Sequence, residues 1–195
     1  MDDPPESRHD AHRSADRTTE SHAVAGPGAP GFLAASSPVL GNPKQALRAQ
    51  RIRFCEAGDG TKIAYATLGS GAPLLKAANW LNHLEFDWDS PIWGKGFAQI
   101  AAHRTFARYD ERGCGLSDWE VSDLGFEAFV DDLEAVADKL GYERFPLLGI
   151  SQGCAVAIEY AVRHPERVSG LVLIGGYAQA GAITPPRRSR NCAKR

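Results

Sequence analysis

One serine stands between two glycines in the segment Gly149-Ile150-Ser151-Gln152-Gly153, where the apolar run LLGI meets the small-residue stretch CAVAIEYAVR. A hydroxyl on a sharp strand-to-helix bend is displayed for nucleophilic attack on a carbonyl. At such a bend, a side chain two positions before or after the serine would collide with the neighbouring strand or helix, so glycine suits both places. The helix that follows would turn its free N–H groups and the positive end of its dipole toward the serine. Ser151 is therefore the candidate nucleophile, and Gly149 and Gly153 are the residues that permit the elbow. Five residues with two glycines recur by chance, and it is the strand before and the helix after that give the motif weight.

The elements needed to hold that serine can be read on either side of it. Ile52 and Phe54, then Ile63 and Tyr65, alternate around the turn at Gly58 to Gly60 and predict a β-hairpin. LLKAAN after Pro73 and RTFARYD (104–110) predict two further strands, separated by a stretch rich in Trp and His. In FEAFVDDLEAVADKLGY, apolar residues recur at spacings of three and four and Gly141 supplies a stop, which predicts an amphipathic helix. FPLLGI is then a strand, Gln152 to about Arg163 a helix closed by His164 and Pro165, and SGLVLIGG a last strand. Alternating strands and helices specify a mostly parallel α/β sheet with helices on both faces, entered here through an antiparallel hairpin.

The segments GDGTKIAYATLGSGAPLL, YDERGCGLSD, LGISQG and YAVRHPERVSGLVLIGG make Arg51 to Tyr177 resemble the N-terminal two thirds of the α/β-hydrolase fold, in its serine-nucleophile branch. KAANWLNHLEFDWDSPIW, with YDERGCGLSDW, is similar to hydrolase-like domains of bacterial proteins that also carry helix-turn-helix or adenylate-cyclase modules. The resemblance implies an oxyanion hole made by the backbone N–H groups of Trp80, in the loop after the third strand, and of Gln152, the residue after the nucleophile. Ala78-Asn79 stands where that family more usually has His-Gly. It also implies catalytic partners in the chain order Ser, then Asp or Glu, then His.

Serine attacks only when a base takes its proton, and here the sequence departs from the family. After Ser151 the one histidine is His164, at the far end of the helix the serine begins; at 1.5 Å rise per residue the two backbones stand about 20 Å apart. His164 reads as a helix stop with its imidazole near the terminal carbonyls, and Glu159 and Glu166 as solvated charges. His83, followed by Glu85, Asp87 and Asp89, lies in the loop expected to border the serine; it is either an unusual base or a histidine lining a pocket near Asn79, Trp80, Trp88 and Trp93. His103 reads as a surface residue, and Asp110 and Arg112 as braces of the turn RGCGLSD.

Composition bounds the remaining classes. Residues 51–181 carry eighteen acidic and twelve basic side chains, so nucleic acid is not expected as a partner, whereas residues 182–195 carry five basic side chains and no acid. Cys55, Cys114, Cys154 and Cys192 lie far apart without a C-x-x-C pair, which argues against a zinc site or a redox dithiol, and no metal or cofactor is expected. No apolar run approaches the ~18 residues of a membrane helix, and with acidic Asp2 and Asp3 the chain reads as cytoplasmic. Residues 1–50, with solvated His9, His12 and His22, are expected to be disordered, residues 51–178 to form a truncated hydrolase domain, and residues 179–195 a disordered basic tail of a frameshifted or truncated product. The strand Val168 to Ile174 would then be an open apolar edge and a C-terminal segment would be missing. Two functions fit: a serine hydrolase of esters, lactones or related acyl compounds, inactive as this chain for want of its acid and His, or a small-molecule-sensing regulatory module on the same fold.

Overall fold

The computed structural model describes residues 42–176. Six strands form one sheet in the order β1-β2-β4-β3-β5-β6: β1 (Arg51–Glu56), β2 (Lys62–Leu68), β3 (Pro73–Lys76), β4 (Thr105–Tyr109), β5 (Phe145–Ile150) and β6 (Val168–Ile174). β1 and β2 pair antiparallel with Ile52 opposite Ala66 and Phe54 opposite Ala64, and β2 pairs antiparallel with β4. The remaining pairs, β3 with β4, β3 with β5 and β5 with β6, are parallel. This is the mixed α/β sheet expected from the sequence, hairpin included. The hairpin reverses through Gly60 at φ +84°, with Asp59 Oδ1 accepting from the Thr61 N–H, a conformation that a residue without Cβ adopts at little cost.

Helices cover both faces. On one, α3 (Phe126–Lys139) and α4 (Gln152–Arg163) bury Val130, Leu133, Val136, Val156 and Tyr160 against Ile63, Leu75, Tyr109 and Leu147. Most of the stripe predicted for α3 points inward, while Phe126, at its first turn, is exposed. The chain leaves α3 through Gly141 at φ +66°, and the Tyr142 N–H bonds back to the Ala137 carbonyl.

The opposite face is covered by two helices that the sequence reading did not anticipate. α1 (Pro43–Ala49) falls inside the stretch expected to be disordered. Asn42 caps it by accepting from the Lys44 N–H, Pro43 opens it, and Ala46 is buried in a cluster with Trp88, Phe97 and Phe106; tertiary burial orders seven residues that could not hold a helix alone. The rest of that stretch and the basic tail lie outside the described residues. α2 (Gly94–His103) occupies the Trp- and His-rich stretch and buries Phe97, Ala98 and Ala101. Its first turn carries Gly94 and Gly96, poor helix formers, so the segment reads as a loop; Gly94 is required because a Cβ there would meet the Trp88 carbonyl.

Among the described residues β6 is the outermost strand on that side of the sheet, and its Leu171, Val172, Leu173 and Ile174 are 39–51% exposed. Among the described residues no helix is long and apolar enough to cross a membrane.

Candidate active site

β5 ends at Ile150 and α4 begins at Gln152, leaving Ser151 alone on the bend at φ +52°, ψ −121° with its side chain exposed. Such backbone angles cost a non-glycine residue of order 1–3 kcal/mol and persist only where the surroundings enforce them. Here both peptide groups are held: the Ser151 N–H donates to the Ile174 carbonyl at 3.0 Å, and its carbonyl accepts from the Cys154 N–H at 3.0 Å. A Cβ on Gly149 would come within 2.7 Å of the Cys154 Cα, and one on Gly153 within 2.6 Å of the Ala78 carbonyl oxygen. Both glycines are thus sterically demanded, one by the helix and one by the loop after β3.

That loop is fixed against the bend. The Ala77 N–H donates to the Leu148 carbonyl at 2.9 Å, Leu81 takes a left-handed φ of +60°, and the Trp80 side chain projects into solvent at 70% exposure. Asn82 ties the loop to the turn after β4: its Nδ2 donates to the Tyr109 carbonyl at 2.7 Å and to Asp110 Oδ1 at 2.9 Å, and its Oδ1 accepts from the Glu111 N–H. Glu111 in turn accepts from Gln152 Nε2 at 2.7 Å, so three separate segments converge beside Ser151.

The histidines go elsewhere. His83 Nδ1 accepts from the Glu85 and Phe86 N–H groups at 3.1 and 3.4 Å and its ring stacks on Phe86, which makes it a cap of the short 3-10 turn Phe86–Asp89. Trp88 is buried with its Nε1 on Gln50 Oε1, while Trp80, Asn79 and Trp93 line a separate cavity of about 260 Å³. The cavity lined by Trp80 and Trp93 does not have His83 in its wall. His164 follows α4 as expected, but its ring lies over Tyr160 with Nε2 3.3 Å from Glu134 Oε1 rather than on the helix carbonyls. His103 is an exposed α2 terminus. Among the described residues, no hydrogen bond reaches the Ser151 hydroxyl.

Asp110 braces the turn after β4, its Oδ2 accepting from the Leu116 N–H at 2.8 Å. Arg112 reaches beyond that turn to Asp132 of α3 and Asp59 of the hairpin. Burial pushes the Asp110 and Glu111 carboxyls up to about 7. A carboxyl whose pKa is higher folded than unfolded takes up a proton on folding, so it contributes stability at acid pH that is lost as pH rises from about 4 through about 7. The Asp110→Asn and Glu111→Gln chains are expected to lose less thermal stability than the parent between those limits. Thermal midpoints measured across that range that run parallel for all three chains would contradict this.

Lys76, Asn82 and Glu111 were not legible as site residues. The only trace was a lysine inside the apolar run LLKAA. A concavity of about 820 Å³ between β1 and α3 is lined by none of the candidate residues. Among the described residues no group of three His, Cys, Asp or Glu could hold a metal, and Cys55, Cys114 and Cys154 are free thiols.

Comparison with known proteins agrees with this fold. Residues 79–193 match the family described as alpha/beta hydrolase fold. An AB hydrolase superfamily protein of Bacillus subtilis, YisY, is 35% identical over 60% of this chain and 42% of its own length. A 2-hydroxy-6-oxononadienedioate/2-hydroxy-6-oxononatrienedioate hydrolase of a Pseudomonas species is 31% identical over 69% of the chain and 44% of its own. Among solved structures, the esterase RhEst1 from Rhodococcus superposes with a TM-score of 0.57 at 30% identity, covering 67% of this chain and 47% of the esterase. The chain spans less than half the length of each of these proteins.

Proposed function

The chain belongs to the alpha/beta hydrolase fold family, and from that premise we propose that Ser151 is the nucleophile of an acyl-hydrolase site for small-molecule esters, lactones or related compounds. The observation that carries this reading is the backbone of Ser151, held at φ +52° on a bend between a strand and a helix with its side chain exposed. In the proposed reaction the Oγ bonds to the carbonyl carbon, its proton passes to a base, and negative charge develops on the carbonyl oxygen. The N–H groups of Trp80 and Gln152 receive that charge, and losing one such donor typically costs about 2.7–4 kcal/mol of transition-state stabilisation. Gln152 is suited to this role by its place at the N-terminus of α4, where backbone N–H groups have no intrahelical acceptor. Collapse of this adduct breaks the bond to the alcohol, which leaves with the proton held by the base; water then attacks the acyl-serine, giving a proton to the base, and the carboxylic acid is released as that proton returns to the Ser151 Oγ.

Among the described residues no base is proposed for Ser151. His83, His103 and His164 each have another place, and a serine hydroxyl without an acceptor for its proton is a poor nucleophile. The same observation favours a second reading, in which the pocket binds a small molecule and serves as a sensing module without turning it over.

External imidazole separates these. In buffer, the 195-residue chain is expected to hydrolyse p-nitrophenyl acetate no faster than its Ser151→Ala counterpart. Added imidazole should raise the rate of the parent chain above that of Ser151→Ala at the same imidazole concentration. Serine-dependent turnover in plain buffer would refute the missing base. No serine-dependent increment under either condition would refute the nucleophile and leave the sensing reading.

A further inference from the structure

Lys76 ends β3 in an apolar run, and it is buried to 3% exposure. Its neighbours in register are Arg108 on β4 and Leu148 on β5, so two cationic side chains lie side by side on the α2 face of the sheet. Their surroundings differ. Arg108 Nη1 pairs with Asp87 at 2.9 Å, its Nη2 donates to the Leu84 carbonyl at 2.8 Å, and its guanidinium lies over the Trp88 ring at 4.5 Å. Lys76 Nζ donates only to the Ala77 carbonyl at 3.1 Å and to Asn79 Oδ1 at 2.5 Å, and it stands 5.9 Å from the centre of the Phe97 ring. Among the described residues no carboxylate forms an ion pair with it. An ammonium has three N–H donors, so one remains without a protein acceptor.

Lys76 lines the 260 Å³ cavity, whose other walls include Asn79, Trp80, Ser90, Trp93 and Phe97. Asp87 also borders it, but its carboxylate is taken by Arg108 and by the His83 N–H. Two more acids stand near the ammonium, Asp110 and Glu111. They are tied to the Leu116 N–H and to Gln152, and burial raises both carboxyls to about 7. Burial draws Lys76 itself down to about 8, so at pH 7 it is still mainly charged. An ammonium taken out of water without an anion is costly, and a ligand carboxylate would supply the missing partner with a charge-assisted hydrogen bond.

We propose that this cavity is a subsite for the carboxylate of a small, partly apolar organic acid, with Lys76 Nζ as its ammonium partner and Trp93 and Phe97 as its apolar walls. Its volume is below the ~300 Å³ at which drug-sized sites begin, so it takes a fragment such as a short aliphatic or single-ring acid. The cavity shares Asn79 and Trp80 with the loop that lies against the Ser151 elbow, and Lys76 is in register with Leu148, three residues before Ser151. If the hydrolase reading holds, the acid is the charged end of the substrate or of its product; the anion site itself does not depend on that reading.

The test measures binding, not turnover. The full 195-residue chain and its Ser151→Ala version are titrated calorimetrically at pH 7 with acetate, butyrate and benzoate, and with the neutral amide of each acid. At least one acid is expected to bind tenfold or more tightly than its amide, equally in both chains. Lys76→Met should erase that preference and Lys76→Arg should keep part of it. Should Lys76→Met fail to fold, the acid-against-amide comparison on the parent chain decides by itself. If no acid outbinds its amide, or if Lys76→Met keeps the preference, the proposal falls. Absence of the serine-dependent increment with added imidazole, with acid binding intact, would overturn only the nucleophile.

Discussion

Replacing Arg112 with Met is expected to destabilise the chain by about 3–5 kcal/mol, the range for removing one partner of a buried ion pair. The Arg112 and Asp132 side chains are each 1% exposed, and Arg112 donates Nε to Asp132 Oδ2 at 2.8 Å and Nη2 to Oδ1 at 2.6 Å. Its Nη1 adds Asp59 at 2.7 Å and the Asp123 carbonyl at 3.1 Å. One guanidinium thus joins the turn after β4, the helix α3, the hairpin turn and the loop before α3. Its pKa is pushed above the ordinary arginine value by the Asp132 carboxylate. Truncation leaves that carboxylate in the interior with no counter-charge, where it must ionise at great cost or take up a proton. The deficit should therefore shrink toward acid pH, because protonating Asp132 removes the stranded charge. Arg112→Met combined with Asp132→Leu should recover most of the loss, since an apolar pair of similar volume strands nothing. Against a total stability of roughly 5–15 kcal/mol for a domain, the single substitution is enough to unfold a fraction of the chain at room temperature. Urea titrations of the single and double variants measure this directly; a loss below about 1 kcal/mol in Arg112→Met would mean the pair is solvated.

Why Arg112 could be read as a brace while its main partner could not is a matter of distance along the chain. The turn RGCGLSD is local, so Asp110 and Arg112 announce themselves as turn residues. Asp132 lies twenty residues on, inside a helix whose apolar stripe gives it no distinction. The strands and helices that were legible, among them the hairpin, α3, the apolar runs of β3, β4 and β6 and the β5–α4 bend, are those whose signal is periodic, a short apolar run, or carried by glycine at a place with no room for a Cβ. What escaped depends on companions elsewhere. α2 begins with two glycines, and its helix is held by packing of Phe97 on Trp93 and Phe106. α1 is a short capped helix of about two turns whose stability comes from Ala46 and its neighbours across the fold. Lys76 and Arg108 sit in strands where alternation alone cannot tell a buried cation from a surface one. Arg108 is explained by Gln50, Leu84, Asp87 and the Trp88 ring, drawn from two other segments. The site followed the same rule: the Ser151 elbow is local and was legible, while the network of Asn82, Glu111 and Gln152 beside it is assembled from three.

Gly153→Ala tests whether the bend and the loop after β3 are coupled as tightly as their spacing implies. The added Cβ would be 2.6 Å from the Ala78 carbonyl oxygen and 3.1 Å from that of Ala77. Neither carbonyl is the tip of a flexible side chain. The Ala77 N–H is bonded to β5, and Ala77 and Ala78 are buried at 0 and 2% exposure. Either the first turn of α4 or the loop must move, and forcing an extra methyl into a close-packed interior costs about 1–3 kcal/mol. Gly96→Ala is the control: nothing lies within 4 Å of its Cβ, its position is helical, and the change should be neutral or stabilising by up to about 1 kcal/mol. The functional consequence is larger than the structural one. Displacing the loop shifts the Trp80 N–H away from the place proposed for the oxyanion while leaving Ser151 itself in the sequence. In Gly153→Ala the serine-dependent increment with imidazole should fall about 100-fold or more, the range reported for loss of one oxyanion donor, at a temperature where circular dichroism still shows it folded. A Gly153→Ala chain that keeps the full increment would break the link between the close approach at Gly153 and the oxyanion role of Trp80, because a misplaced donor cannot stabilise the charge it no longer faces.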